Sequence, residues 1–284
     1  MSNEKGLKRI SLNDLLFPVE KVLQTDFSCN SDYAYDIFGY INGIKTRLNS
    51  CSERYELIPN EDIFKTASHM LVDNNIDFTA KYYHLNYARF YADYEINNYE
   101  FKISANDIVK PMLRIQHSYN GLTKYMITFG YYRLVCTNGL TIPVKEKKEF
   151  NLSISGKHTT NIKKSIGTLF NTIQYFINNG NTYINRFKFM ADQIVVNPKD
   201  RITEVLNVAG ISINNMKYGI NAVDYIINQM NEDFKKLPEL QNKVNDWIIY
   251  NGINHYINNN DYNMKSPEVR TEIDSNVLSY MLIN

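Results

Sequence analysis

Cysteine is scarce in this sequence, and the three present, Cys29, Cys51 and Cys136, are odd in number and far apart. They fit neither a disulfide framework nor a CxxC metal knuckle, so a reducing, cytoplasmic compartment is expected. Long apolar runs are missing too. No segment approaches the roughly 18 apolar residues of a membrane span, and the opening "MSNEKGLKRISLNDLLFPVEK" lacks the apolar core of a secretory signal. A soluble protein without a membrane partner is therefore expected. Charge of one sign is not in excess either: 31 Lys and Arg against 30 Asp and Glu leave a formal +1. This excludes a globally basic nucleic-acid binder and leaves only a local basic face to look for. The sparse Gly and Pro beside abundant Asn, Ile, Tyr and Lys match the residue choice of an AT-rich genome, and carry no functional weight.

Catalytic signatures are absent as well. There is no GxxxxGK[ST] phosphate loop, no GxGxxG after a strand, no HExxH and no GxSxG elbow. The five histidines, His69, His84, His117, His158 and His255, lie far apart, and none has a His or Cys partner at metal-ligand spacing. No acidic motif with a recognisable metal spacing marks a nuclease. The expectation is a non-enzymatic protein without cofactor or metal.

What is there is a foldable chain. With 284 residues, 44% hydrophobic and 21% charged, it falls in the globular range. Before about residue 150 the text breaks into short runs rich in β-branched and aromatic residues, such as "YEFKIS" and "MLRIQHS". In "TKYMITFGYY", Tyr125, Ile127, Phe129 and Tyr131 alternate with Lys124, Met126, Thr128 and Gly130, which points the first four to one face of a strand. Asn120-Gly121 just before it tolerates the positive φ angles of a tight turn. Residues 111–136 therefore read as a β-hairpin or meander.

After residue 160 the period becomes helical. Ile162, Ile166, Leu169, Phe170, Ile173, Phe176 and Ile177 predict an amphipathic helix over about 162–178, ended by "NNGN". Further helices are expected from Asn197-Pro198 to Gly210, from Asn221 to Asn231, and from Pro238 through a stripe of Leu240, Val244, Trp247 and Ile248. The fold class expected is α+β: an antiparallel β-rich N-terminal half packed by the 162–178 helix, then a mostly helical C-terminal region. No low-complexity linker separates the halves, so 46–180 reads as the α+β core and 181–284 as a helical extension packed on it.

One segment breaks the neutral average. From Val144 to Lys164 the chain carries Lys145, Lys147, Lys148, Lys157, Lys163 and Lys164 with His158, against Glu146 and Glu149. If strand-like "FNLSISGKHT" leads into the helix, Lys157, Lys163 and Lys164 flank its N-terminal turn, where free amides attract phosphate; otherwise they form a solvated lysine face. Just upstream, "RLVCTNGL" sets Arg133 and Cys136 into strand-like text. Cys136 beside Arg133 is either an activated thiol or a small apolar side chain. Arg133 either pairs with a carboxylate or carbonyls, or presents its fork to phosphate beside Lys157 and His158. Tyr119, Tyr125, Tyr131 and Tyr132, with Lys124, are either stacking and cationic surface or core.

These motifs in series carry a resemblance. "HSYNG", "RLVCTNGL" and "GKHT" resemble the central signature of a phage- and plasmid-encoded domain-of-unknown-function family, the one numbered nine hundred and thirty-two. "RYELIPNEDIF", Arg54 to Phe64, and "DWIIYNGINHYI", Asp246 to Ile257, resemble its upstream element and its late helix. The likeness runs in order over roughly residues 50–282. In two respects the chain departs from the family: the turn aspartate is Asn120 here, and the N-terminal motif is unrecognisable, so 1–45 reads as a variable segment. The layout is also similar in outline to phage single-strand annealing proteins, which form rings or filaments around a basic groove. That likeness implies a self-associating protein that binds single-stranded nucleic acid and promotes annealing or recombination. Arg133, Lys157, His158, Lys163, Lys164, Lys124 and Tyr125 are then the candidate contacts. The alternative is a non-catalytic assembly factor, such as a virion component or an inhibitor of host defence.

Overall fold

Positive-φ residues set the strand pairings. Asn42 (φ 51) and Gly43 (φ 78) form a two-residue turn between β3 (Tyr35–Ile41) and β4 (Ile44–Cys51), whose ends pair Ile41 with Ile44. Two successive positive φ values match the right-handed twist of the flanking strands. Asn86 (φ 53) and Tyr87 (φ 51) begin a three-residue connection between β5 (Phe78–Leu85) and β6 (Arg89–Ile96), whose ends pair Leu85 with Arg89. The computed structural model describes residues 8–24, 34–104, 106–122, 125–134, 139–141, 153–156, 181–215, 220–240, 243–259 and 267–282.

The chain divides into two compact units that interleave in sequence. The first comprises residues 1–98, 113–128 and 153–173; the second comprises 99–112, 129–152 and 174–284.

In the first unit, β2 (Val19–Leu23), β3 and β4 form a three-stranded antiparallel sheet, with a register shift at Ile37/Phe38. A second sheet runs β1 (Lys8–Ile10), β5, β6, β8 and β9, and β11 (Ser153–Gly156) also pairs with β9. Here β8 (Asp107–Ser118) contributes 113–118 and β9 (Tyr125–Arg133) contributes 125–128. Helix α2 (Asn60–Asp73) follows the short α1 (Leu12–Leu15) and buries Ile63, Phe64, Ala67 and Leu71. The Tyr94 hydroxyl donates to the Phe64 carbonyl at 3.1 Å, and the Phe64 and Tyr82 rings meet edge-on at 6.4 Å. This helix lies in text that read as strands, although Pro59 before it and Glu61 and Asp62 in its first turn are helix-start signals.

In the second unit, β7 (Phe101–Ser104) pairs with the start of β8, and β10 (Gly139–Thr141) pairs with the end of β9. Among the described residues five helices follow: α3 (181–192), α4 (Pro198–Val208), α5 (Ala222–Lys236), α6 (Asp246–Asn259) and α7 (Pro267–Met281). The protein is thus α+β, as expected, with antiparallel sheets first and helices mostly in the C-terminal half. No helix among the described residues is long and apolar enough to cross a membrane.

The expected pairing is present, β8 and β9 being neighbours with Gly121 at φ 68, but Asn120 is not among the positive-φ residues, and with β8 ending at Ser118 and β9 starting at Tyr125 the connection is longer than a tight two-residue turn. The strand read over Tyr125–Tyr131 is present as β9, and its other face is covered too. Met126 and Thr128 are buried like Tyr125, Ile127 and Phe129, so both faces of the strand are covered. The helix expected over 162–178 lies outside the described residues. Pro198 and Gly210 (φ 66) bracket α4 as expected, whereas α5 runs past Asn231 to Lys236. The helix expected from Pro238 needs correction, because Pro238–Leu240 is one 3₁₀ turn and α6 begins at Asp246. Asn245 starts it, accepting the Ile248 N–H at 2.9 Å through its side chain.

Two close fits test this packing. A Cβ on Gly252 of α6 would lie 2.9 Å from Ile226 Cγ2 and 3.3 Å from the Ile226 carbonyl of α5, so the helices approach too closely for alanine. Gly252→Ala is expected to cost about 1–3 kcal/mol of stability in a urea titration through overpacking. His84 and His255 are both held neutral. Burial lowers each pKa below the ordinary 6.5, and His84 Nδ1 accepts the Tyr87 N–H at 3.0 Å. Because their folded pKa values lie below the unfolded ones, their contribution to stability is complete above pH 6.5 and is lost as pH falls through the folded values. The urea midpoint is expected to drop between about pH 7 and 5, and His84→Gln to flatten that slope.

Candidate functional site

Arg133 ends β9, and Asp107 begins the neighbouring β8. The guanidinium grips Asp107 with both arms of a fork, Nε to Oδ1 at 2.8 Å and Nη2 to Oδ2 at 2.7 Å. Its third nitrogen, Nη1, donates to Asp233 Oδ2 of α5 at 2.5 Å. Trp247 Nε1 of α6 donates to the same Asp107 carboxylate at 2.8 Å, and the guanidinium carbon lies 5.7 Å from the indole centre. Gln229 supports Asp233 from one turn away, at 3.2 Å. Arg133, Asp107 and Trp247 have no solvent exposure, and Asp233 has 1%. The two readings left open for Arg133 are thereby decided: its fork is spent on carboxylates inside the protein and is not offered to phosphate.

Tyr125 requires the same correction, since a ring 1% exposed inside a two-sided strand cannot stack on a base. Tyr119 and Tyr131 are buried likewise, and Tyr132 is half-buried. Lys124, Lys157, His158, Lys163, Lys164 and Cys136 lie outside the described residues.

The surface with binding chemistry is one that sequence reasoning missed. On the outer face of the β2–β4 sheet, Glu20, Phe38 and Arg47 stand side by side across the three strands, Tyr40 pairs with Lys45, and Asp36 pairs with Ser50. Phe38 and Tyr40 are half-buried. The Lys45 ammonium sits 4.5 Å from the Phe38 ring centre and 5.9 Å from that of Tyr40. It also pairs with Glu20 at 2.6 Å, and the Tyr40 hydroxyl donates to Glu20 at 2.9 Å. Those hydrogen bonds, from Lys45 and then Tyr40, hold the Glu20 pKa below the ordinary carboxylate value. Burial raises the Asp36 pKa, but hydrogen bonds from Ser50, Arg47 and Gln24 outweigh it and leave it lowered. Both cations are well exposed and both are neutralised locally, Arg47 by Asp36 at 2.7 Å.

Arg47 also lines an open cavity of about 740 Å³, with Asn49, Ser50 and Ser52 of the same hairpin, Tyr55, and Asn120-Gly121 of the β8–β9 turn. Tyr55 is anchored there by its hydroxyl, which donates to the Ser118 carbonyl at 3.2 Å, and the Asn60 N–H donates to the Tyr119 hydroxyl at 2.7 Å. "RYELIPNEDIF" and "HSYNG" are thus brought against each other at one cavity. The signal for the hairpin itself was present in "YDIFGYINGIKTRLNS", an Asn-Gly pair between alternating runs.

The family model described as "Domain of unknown function (DUF932)" matches residues 47–261 of the chain. The chain belongs to that family. Neither a curated protein nor a solved structure matches it. The matched range begins at Arg47, so β2, β3 and the start of β4 precede it.

Truncating Arg133 would strand two buried carboxylates. Arg133→Gln is expected to lower stability by about 3–5 kcal/mol. Urea unfolding read by the fluorescence of Trp247, the single tryptophan of the chain, checks this at the site itself.

Proposed function

We propose that this protein binds single-stranded nucleic acid on the outer face of the β2–β4 sheet, with promotion of strand annealing by an oligomer in a phage or plasmid setting as the wider role. The observation that carries the reading is the placement of two half-buried aromatic rings, Phe38 and Tyr40, and two exposed cations, Lys45 and Arg47, on one face of the sheet, with Lys45 over both rings and Arg47 the cross-strand neighbour of Phe38. Single strands need a surface of this kind: rings on which unstacked bases lie and cations that follow the backbone. A duplex keeps its bases stacked on one another and so leaves the two rings without a partner. On binding, Lys45 exchanges Glu20 for a phosphate and uncovers the rings.

Fluorescence anisotropy with labelled oligo(dT) tests this. Affinity is expected to fall as salt rises from about 50 to 200 mM, the signature of phosphate neutralisation. Phe38→Ala and Tyr40→Ala are each expected to lose about 1–3 kcal/mol of binding. Glu20→Gln, which frees Lys45 and keeps an acceptor for Tyr40, is expected to bind more tightly than the parent. Absence of binding at about 50 mM salt, or full affinity in both aromatic variants, overturns the proposal. Solution mass with and without the oligonucleotide reads the oligomer.

A further inference from the structure

Resting on that reading, we propose that the cavity beside the aromatic face receives one base turned out of the bound strand, and that Asn49 reads its edge with a preference for adenine. Arg47 belongs to both the face and the cavity wall, whereas Asn49, paired with the buried Ile37, stands on the other face of the edge strand β4, so a base leaving a strand held on the rings reaches Asn49 around that edge. The volume of about 740 Å³ lies within the range of roughly 300–1,000 Å³ typical of small-ligand sites.

The lining has the right chemistry. The Asn49 side chain has no hydrogen-bond partner among the described residues. Asn120, also in the lining, uses Oδ1 to accept the Leu122 N–H at 3.1 Å, and its amide nitrogen has no partner among the described residues. An asparagine amide presents a donor and an acceptor side by side, the complement of adenine N7 and N6. By contrast Ser50, bonded to Asp36 at 2.7 Å and to Arg47, is already occupied. The cavity therefore offers a free donor and acceptor pair at Asn49 and a further donor at Asn120.

The test uses the full chain with oligo(dT) carrying one central adenine, 2-aminopurine or abasic site. Binding to wild type is expected to raise 2-aminopurine fluorescence as that base leaves the stack, and the adenine-bearing strand to bind at least five-fold tighter than the abasic one. Asn49→Ala and Asn49→Asp, the second keeping the shape without the donor, are expected to remove this preference while affinity for plain oligo(dT) changes less than three-fold. A wild type that binds oligo(dT) yet shows neither a fluorescence rise nor a preference for adenine overturns the cavity and leaves the aromatic face standing. Failure to bind any of the strands overturns the face, and the cavity with it. A preference kept by both Asn49 variants overturns Asn49 as the reader.

Discussion

A single buried guanidinium organises the second unit. Arg133 has no solvent to fall back on, so each of its nitrogens must find an acceptor inside the protein. Asp107 supplies two oxygens from the neighbouring strand and Asp233 a third from α5, while Trp247 of α6 completes the Asp107 carboxylate. Such a cluster adds little to stability over a well-packed apolar alternative. Its effect is on geometry. The forked pair fixes the register of β8 against β9 at that end, and the third nitrogen and the indole fix where α5 and α6 come down on it. Any other arrangement leaves a bare charge in the interior.

The same rule governs the helix that carries Trp247. Helix α6 is buried on nearly every side, yet it includes Asn251 and Asn254 among Ile248, Ile249, Ile253 and Ile257. Their amide nitrogens are used: Asn251 donates to the Trp247 carbonyl at 2.7 Å, and Asn254 to Asp274 of α7 at 2.9 Å. Asp274, itself buried, also accepts the Tyr250 hydroxyl at 3.2 Å. Gly252 lets α5 lie close against the helix. In "DWIIYNGINHYI" the polar letters are therefore packing and hydrogen-bonding devices of a core helix, and that is sufficient reason for the motif.

The first unit distributes its polar groups differently. There the aromatic and charged side chains of Glu20, Asp36, Phe38, Tyr40, Lys45 and Arg47 stay at the surface of a three-stranded sheet, in pairs that water and ligands can reach. Exposed pairs of this sort contribute little to folding and are readily exchanged for other partners. A buried triad that cannot be opened without cost and a surface network that can are opposite uses of the same residue types. Only the second is suited to binding.

Local signals were sufficient wherever a residue's conformation or period decided the outcome. The α+β class, the pairing of β8 with β9, the helix between Pro198 and Gly210, and membership of the family were all legible, because turn residues, caps and ordered motifs act over a few positions. The helix at Asn60 was missed although its start signals were present, and Pro238 was given a helix that Asn245 begins instead. What lay beyond reading was depth and company. Nothing within eight residues distinguishes an arginine that meets phosphate from one that meets Asp233, 100 positions away. Nor does the alternation of β9 reveal that both of its faces are covered. Burial depends on what the rest of the chain stacks over a strand, and charge pairing depends on which distant carboxylates arrive there. For that reason tertiary structure alone removed Arg133 and Tyr125 from the surface and assembled Phe38, Tyr40, Lys45 and Arg47 upon it.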